Sequence, residues 1–285
     1  MNGLLVVNKE EGYTSRDVVN VISKKFNTSK VGHTGTLDPI ATGVLVIAIG
    51  NGLKLVDQLT CDDKEYIATV KLGILTDTLD VTGNVIQHQK DYKIDKTELV
   101  KVLNSFLGNT IQEVPVYSAI KVDGKRLYEY ARAGISVEIP KREIEIFDIE
   151  LLELTEDEFM FRVKVSKGTY IRSLIRDIGK KIGIYCSMKK LNRVKQGKFS
   201  IENSYTLDDI NNNKYELIPM IEAIDNFEII EVDDFIKQKV LNGRILENRY
   251  NSEKIAFVDN ENNLLALYKI YDKDNLKIKP IKVFN

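Results

Sequence analysis

The stretch Gly32-His33-Thr34-Gly35-Thr36-Leu37-Asp38-Pro39-Ile40-Ala41-Thr42-Gly43 is the least ordinary segment of the chain. Its glycines let the backbone turn tightly, and Pro39 stiffens it directly after an acid. No Gly-Lys-Ser/Thr follows, so it is not a phosphate loop, and it lacks the spacing and following helix of a dinucleotide fingerprint. What remains is a rigid loop presenting one carboxylate. Such a carboxylate can attack an electrophilic carbon or stabilise cationic character beside it. By pattern alone, an acid before proline is equally a common turn element.

Few other groups compete for the chemistry. Cys61 and Cys186 lie far apart and neither belongs to a CxxC pair, which argues against a disulfide framework or thiolate zinc site. His33 and His88 are the only histidines, too few for a typical zinc or iron centre. Any reaction should therefore run on carboxylates, hydroxyls, phenols and cations. The amino terminus has no basic flank before its short apolar run and does not read as a signal peptide, so a cytoplasmic protein is expected. No apolar run approaches the ~18 residues of a membrane span.

The elements that must hold this loop are partly visible. Gly3–Asn8 and Val44–Ile49 read as buried strands, and Ser15 can cap a helix running to Phe26. Between them, residues 27–43 break every periodicity and are expected to form one long ordered loop. Lys64–Leu72 alternates as a half-buried strand. Asp95–Leu107 and Leu127–Arg132 read as helices, Glu143–Leu154 and Phe159–Val165 as strands, and Tyr170–Ile182 as a helix. Without regular βαβ alternation, this implies an α+β domain built on a mixed sheet. A boundary is expected within residues 211–229. Beyond it, a strand, a helix (Asp234–Leu241) and strands Lys254–Val258, Leu264–Ile270 and Lys277–Val283 form a small β-rich module. Such a module would hold little core alone and should pack on the first domain.

Overall, 41 Lys and Arg face 42 Asp and Glu, a net charge of −1, with 43% hydrophobic and 29% charged residues. That excludes disorder and a uniformly basic nucleic-acid binder. The charge is uneven, however. Lys164–Lys198 carries eleven cations against the single acid Asp177, +10 in all, leaving −11 elsewhere. Arginines and a tyrosine stand among small residues there, as a phosphate-contacting surface requires, so the tract is expected to face a polyanion.

Five ordered motifs then carry a resemblance. They are the GHTGTLDPIATG loop; Asp63-Lys64-Glu65-Tyr66; Ser118-Ala119-Ile120-Lys121 with Gly124, Leu127, Tyr128, Ala131, Arg132 and Gly134; Lys167-Gly168-Thr169-Tyr170-Ile171-Arg172-Ser173-Leu174; and Leu191 with Arg193, Gly197 and Phe199. In this order and spacing the chain closely resembles the TruB-type tRNA pseudouridine synthases, from Gly3 to about Phe199 and more weakly to Phe284. One departure is visible: Glu10 follows Lys9 where the family usually has proline.

The resemblance implies a pseudouridine synthase fold, a central mixed and mainly antiparallel sheet flanked by helices over residues 1–226. It adds a PUA-like accessory RNA-binding domain at 227–285. That module carries little positive charge: from Phe199 onward 11 cations face 16 acids. The resemblance also implies isomerisation of the T-loop uridine of tRNA (tRNA pseudouridine-55). The N1–C1′ bond breaks, the base turns, and it rejoins through C5, with no cofactor or metal. Asp38 then matches the catalytic carboxylate, and Arg172 the arginine that pairs with it, since a nearby guanidinium favours a charged carboxylate. Tyr66 matches the tyrosine stacked on the base and a candidate for proton transfer, and Tyr170 and Leu191 match pocket residues around the uracil. His33 matches the residue that fills the gap left by the extruded nucleotide, and Lys9 a lysine near the site, though a generic surface lysine fits as well. A monomer acting on the tRNA T-arm without membrane or obligatory protein partner is expected. Alternatives are a guide-RNA-dependent relative, or an RNA-binding chaperone with an inactive pocket.

Overall fold

The computed structural model of the chain describes residues 1–250 and 252–285. It opens with β1 (Gly3–Lys9), α1 (Ser15–Lys25), β2 (Val31–His33) and β3 (Thr42–Ile49). A 3-10 turn over Gly50–Leu55 and α2 (Val56–Leu59) lead to β4 (Lys64–Leu72) and the hairpin β5 (Ile74–Thr76) and β6 (Val85–His88). Next come α3 (Lys96–Asn104), β7 (Gly108–Glu113), the short β8 (Lys121–Val122) and β9 (Lys125–Arg126), and α4 (Leu127–Arg132). β10 (Lys141–Leu154), β11 (Glu158–Val165), α5 (Ile171–Ile182), β12 (Cys186–Gln196), β13 (Phe199–Ser200) and α6 (Leu207–Asn211) follow. The remainder is β14 (Glu228–Glu231), α7 (Asp234–Leu241), β15 (Leu246–Glu247), β16 (Lys254–Val258), β17 (Leu264–Tyr271) and β18 (Asp274–Val283).

The main sheet runs β1-β3-β12-β4-β11-β10-β7, with β2 added to β3 and β13 to β12. Only β3 and β12 pair in parallel; every other pairing in it is antiparallel. The expected mixed, mainly antiparallel sheet is therefore present.

Hydrophobic pattern explains which strands lie where. β1 and β3 are almost unbroken apolar runs because both their faces are covered. Leu5, Val7, Leu45 and Ile47 join α1, α5 and the inner residues of β4 and β11 in the main core. Leu4, Val6, Val44 and Val46 face the other way, onto Ala256, Val258, Leu264, Leu267 and Phe284 of the carboxyl-terminal sheet. β4 alternates buried and half-buried positions because only one of its faces is covered by core.

The carboxyl-terminal sheet, ordered β14-β16-β17-β18-β15, has its own cluster around Phe257, Tyr268 and Ile278. It packs on the first sheet through the shared cluster, and Lys54 Nζ donates to the carbonyl of Val283 at 2.8 Å.

Three expectations need correction. The segment 27–43 is not all loop, for Val31–His33 pairs with the end of β3; Val31 is buried, and that burial drives the pairing. Thr14, not Ser15, caps α1, in a reciprocal arrangement with Asp17. Ser15 is buried and its hydroxyl is committed elsewhere. Third, residues 186–196 form a central strand, β12, that the charge of the segment conceals. Its lysines mask the apolar alternation, yet Cys186, Met188 and Leu191 are core residues.

Candidate active site

The Asp38 loop leaves β2, crosses the end of the sheet and enters β3. Its shape is imposed by four side chains from three elements. Ser15 Oγ accepts the backbone N–H of Leu37 at 2.9 Å. Lys9 is fully buried, and its ammonium donates to the carbonyls of Tyr13 (2.7 Å), Glu10 (2.9 Å) and Pro39 (3.3 Å). From β12, the guanidinium of Arg193 donates to the carbonyls of Val44 at 2.7 Å and Gly35 at 3.0 Å. Gln196 Nε2 donates to Thr34 Oγ1 at 2.6 Å. Where the loop meets β12, Gly43 has φ +99°, and a Cβ there would lie 2.3 Å from the Arg193 carbonyl. Only glycine satisfies both demands.

The loop delivers Asp38 to the mouth of an open cleft of about 810 Å³. Arg172, on the first turn of α5 and only 6% exposed, meets it with two nitrogens: Nε at 2.9 Å from Oδ2 and Nη2 at 3.2 Å from Oδ1. The fork is itself fixed, because Nη1 donates to the Thr78 carbonyl at 2.9 Å and Nη2 to the Tyr117 carbonyl at 3.1 Å. A second carboxylate backs it: buried Asp80 Oδ2 lies 3.8 Å from Nη1. Asp80 is held in turn by Thr78 Oγ1 at 2.9 Å and the Thr82 N–H at 3.0 Å. Such bidentate, charge-assisted geometry fixes direction as well as charge.

Tyr66, Tyr170 and Leu191 line the same cleft as Asp38 and Arg172. Tyr66 comes from β4, opposite Arg193 of β12. Tyr170 caps α5, where Gln112 clasps both its backbone groups, accepting from N–H at 2.8 Å and donating to C=O at 3.1 Å. Burial raises the Tyr170 phenol pKa and the Arg142 guanidinium, 5.6 Å from its ring centre, partly offsets this. The phenol is thus a proton-bearing donor at neutral pH. Lys64, on the cleft wall, is brought down to about 8, with burial the largest cause and Arg193 acting in the same direction.

Two of the seven residues singled out from sequence do not line the cleft. Lys9 lies beneath the loop, and the surface alternative for it is excluded by its burial. Burial lowers it to about 8, opposed by the Asp38 carboxylate. His33 ends β2; its Nδ1 accepts the Gly35 N–H at 3.3 Å, which requires the neutral ring. Burial, and then Arg193 and Arg16, lower its pKa below 6.5. A depressed folded-state pKa means the unfolded chain binds more protons below about pH 6.5, so stability is lost as pH falls through that window. Urea unfolding across that range should show the loss in the wild type and a flatter profile in His33→Gln.

The basic tract is less a surface than its charge suggests. Arg172 and Arg193 are buried, Arg176 and Lys180 share Asp177, Lys189 pairs with Glu158 and Lys198 with Asp225. Lys167 and Arg142 line the cleft. Nearby, Lys121, Lys125, Arg126 and Arg132 are exposed on the β8–α4 segment, the last two over the Tyr128 ring at 5.8 and 5.4 Å. Sequence reading missed this group because acids are interspersed with it. It also missed Asp80, whose neighbours Thr78 and Thr82 are the only local hint.

Comparison with known proteins agrees with this geometry. Residues 23–171 match the model of the TruB family pseudouridylate synthase N-terminal domain, and residues 172–226 that of the tRNA pseudouridylate synthase B C-terminal domain. The tRNA pseudouridine synthase B of Clostridium tetani is 45% identical over 271 residues, covering 94% of this chain and 92% of that protein. That of Oceanobacillus iheyensis is 44% identical over 298 residues, covering 100% and 98%. Among solved structures, a Cbf5-Nop10-Gar1 complex superposes with a TM-score of 0.73 at 27% identity, covering 99% of this chain and 85% of that one. An H/ACA RNP bound to a substrate RNA containing 2′-deoxyuridine gives 0.72 at 26%, with coverage of 99% and 85%. A loop-borne aspartate forked by a buried arginine, on a sheet shared with these structures and in a chain matching two family models, has one reading: this chain belongs to the TruB family of tRNA pseudouridine synthases and is an isomerase.

Proposed function

We propose that the chain converts the T-loop uridine of tRNA to pseudouridine, with Asp38 as the reacting carboxylate. The observation that carries this reading is the Asp38–Arg172 fork at the mouth of a cleft walled by Tyr66, Tyr170 and Leu191. Extrusion of the uridine from its stack costs roughly a few kcal/mol and exposes both faces of the base. The aromatic and apolar walls replace the lost stacking. Asp38, held on the sugar side, attacks or stabilises C1′ or its base partner as the N1–C1′ bond breaks, and the turned uracil rejoins through C5. No atom or electron is gained or lost overall.

In this reading Arg172 and Asp80 aim the carboxylate, and Lys9 and Arg193 hold its loop. His33, at the end of β2 where the loop begins, fills the space the nucleotide vacates. Residues 1–226 carry the reaction, and 227–285, a PUA-like module, adds an accessory RNA contact. Phosphates are met by Arg142, Lys167 and the exposed cations of the β8–α4 segment. The enzyme works as a cytoplasmic monomer on tRNA alone. Relatives matched over nearly their whole length are named for tRNA, which favours this over a guide-dependent enzyme. No helix is long and apolar enough to cross a membrane among the described residues.

The test is incubation with an unmodified T-arm transcript, without other protein or RNA, followed by chemical mapping of pseudouridine. Product at the T-loop uridine is expected. RNA affinity should fall steeply with salt as phosphate counterions are released. An enzyme inert on the bare transcript sinks the stand-alone reading, and a flat salt titration sinks the phosphate contacts.

A further inference from the structure

Four buried side-chain polar atoms have no hydrogen-bond partner among the described residues: Ser118 Oγ, Ser173 Oγ, Asn192 Oδ1 and Gln196 Oε1. Buried polar groups are nearly always paired, so each asks for a reason. Ser118 alone of the four residues lines the active cleft. Its backbone is fully engaged: the N–H donates to the Val116 carbonyl at 2.9 Å, and the carbonyl accepts from the Tyr128 N–H at 3.2 Å. The preceding carbonyl, that of Tyr117, receives Arg172 Nη2 at 3.1 Å. The segment is thus tied to the catalytic arginine on one side and to α4 on the other. Its one unmet group is a hydroxyl, on a residue only 6% exposed that lines the same cleft as Asp38.

From this placement we infer that the Ser118 hydroxyl is a direct contact to a carbonyl oxygen on the polar edge of the target uracil. The inference rests on the proposed pseudouridylation. The chemistry of the ring favours a hydroxyl at that place. Turning uracil about the axis through N3 and C6 exchanges N1 with C5, and it also exchanges O2 with O4. A fixed donor therefore meets a carbonyl oxygen both before and after the turn. A serine hydroxyl serves, since it donates in either state and can rotate during the change. A side-chain interaction with Ser118 lowers the Tyr170 phenol pKa, but the two groups fall short of full hydrogen-bonding geometry, so the hydroxyl is able to turn to a ligand.

The experiment is a substitution cycle on T-arm transcripts. Wild type and Ser118→Ala are compared on RNA whose target uracil carries oxygen, sulfur at C2, or sulfur at C4, sulfur being the weaker acceptor. Ser118→Ala should lower kcat/KM about tenfold, or about 1.4 kcal/mol. Its Tm should hold or rise, because an unmet buried hydroxyl is removed. Sulfur at the contacted carbonyl should cost the wild type a similar factor and cost Ser118→Ala little. If Ser118→Ala fails to fold, Ser118→Cys, which keeps the shape with a weaker donor, goes through the same cycle. Equal kcat/KM in variant and wild type, or losses that multiply in full at both sulfur positions, overturns the contact while leaving the functional reading intact. A wild type that makes no product overturns both.

Discussion

Asp38→Asn is expected to lower turnover on a T-arm transcript by on the order of 10⁴-fold or more while RNA affinity stays within a few-fold. The side chains are nearly isosteric, and an amide still accepts from Arg172 through its oxygen, so the loop keeps its path. What disappears is the negative charge that the proposed reaction uses at the sugar, and an amide neither attacks nor stabilises a cation there. Single-turnover conversion and filter binding on the same preparation measure the two quantities. Retained turnover would remove Asp38 from the chemistry. Parallel loss of affinity would point to loop collapse.

The second large effect belongs to Arg172. It is 6% exposed, and its nitrogens meet Asp38, Asp80 and two main-chain carbonyls. Arg172→Met leaves Asp80 buried without its cation, and breaking a buried pair from one side costs about 3–5 kcal/mol. Denaturant unfolding should show that loss, with turnover undetectable. Arg172→Lys separates charge from geometry. It keeps the cation but has no planar fork, so Asp38 is no longer aimed, and a drop of about 10²-fold in kcat is expected with little loss of stability. Asp80→Asn, one contact further out, should follow Arg172→Lys in direction with a smaller loss. If Arg172→Lys turned over at the wild-type rate, charge alone would suffice and the bidentate geometry would be incidental.

How much of this site could be read from the chain alone depends on how local each cause is. The strands β1, β3 and β4 and the helix α5 follow from apolar periodicity within one segment, and the structure has them. The Asp38 loop stood out because glycine, proline and an acid act on their own backbone. Cap choice already needed more, since Ser15 lost the N-cap role to Thr14 when its hydroxyl was taken by Leu37, 22 residues away. β12 was hidden because its lysines, Lys190 and Lys195 exposed and Lys189 half-buried, interrupt the apolar pattern. A charge count cannot see that a strand lies between two others. The same count cannot sort the basic tract, for charge along a sequence does not say that Arg172 and Arg193 turn inward while Lys164, Lys167 and Lys190 stay exposed.

By itself, then, the sequence determined the elements with strong local periodicity, the reactive loop and, through five ordered motifs, the family. Local rules govern these features because the interacting atoms lie within a few residues of one another. Only the tertiary structure decided that Arg172 spends its fork on Asp38 and Asp80, that Lys9 and Arg193 hold the loop by its carbonyls, and that the Ser118 hydroxyl is left unmet beside the cleft. Those facts depend on contacts between segments up to 158 residues apart, as between Arg193 and Gly35, and on which groups burial deprives of water. Burial is what turns an ordinary cation into a fixed clamp and an ordinary hydroxyl into a vacant partner.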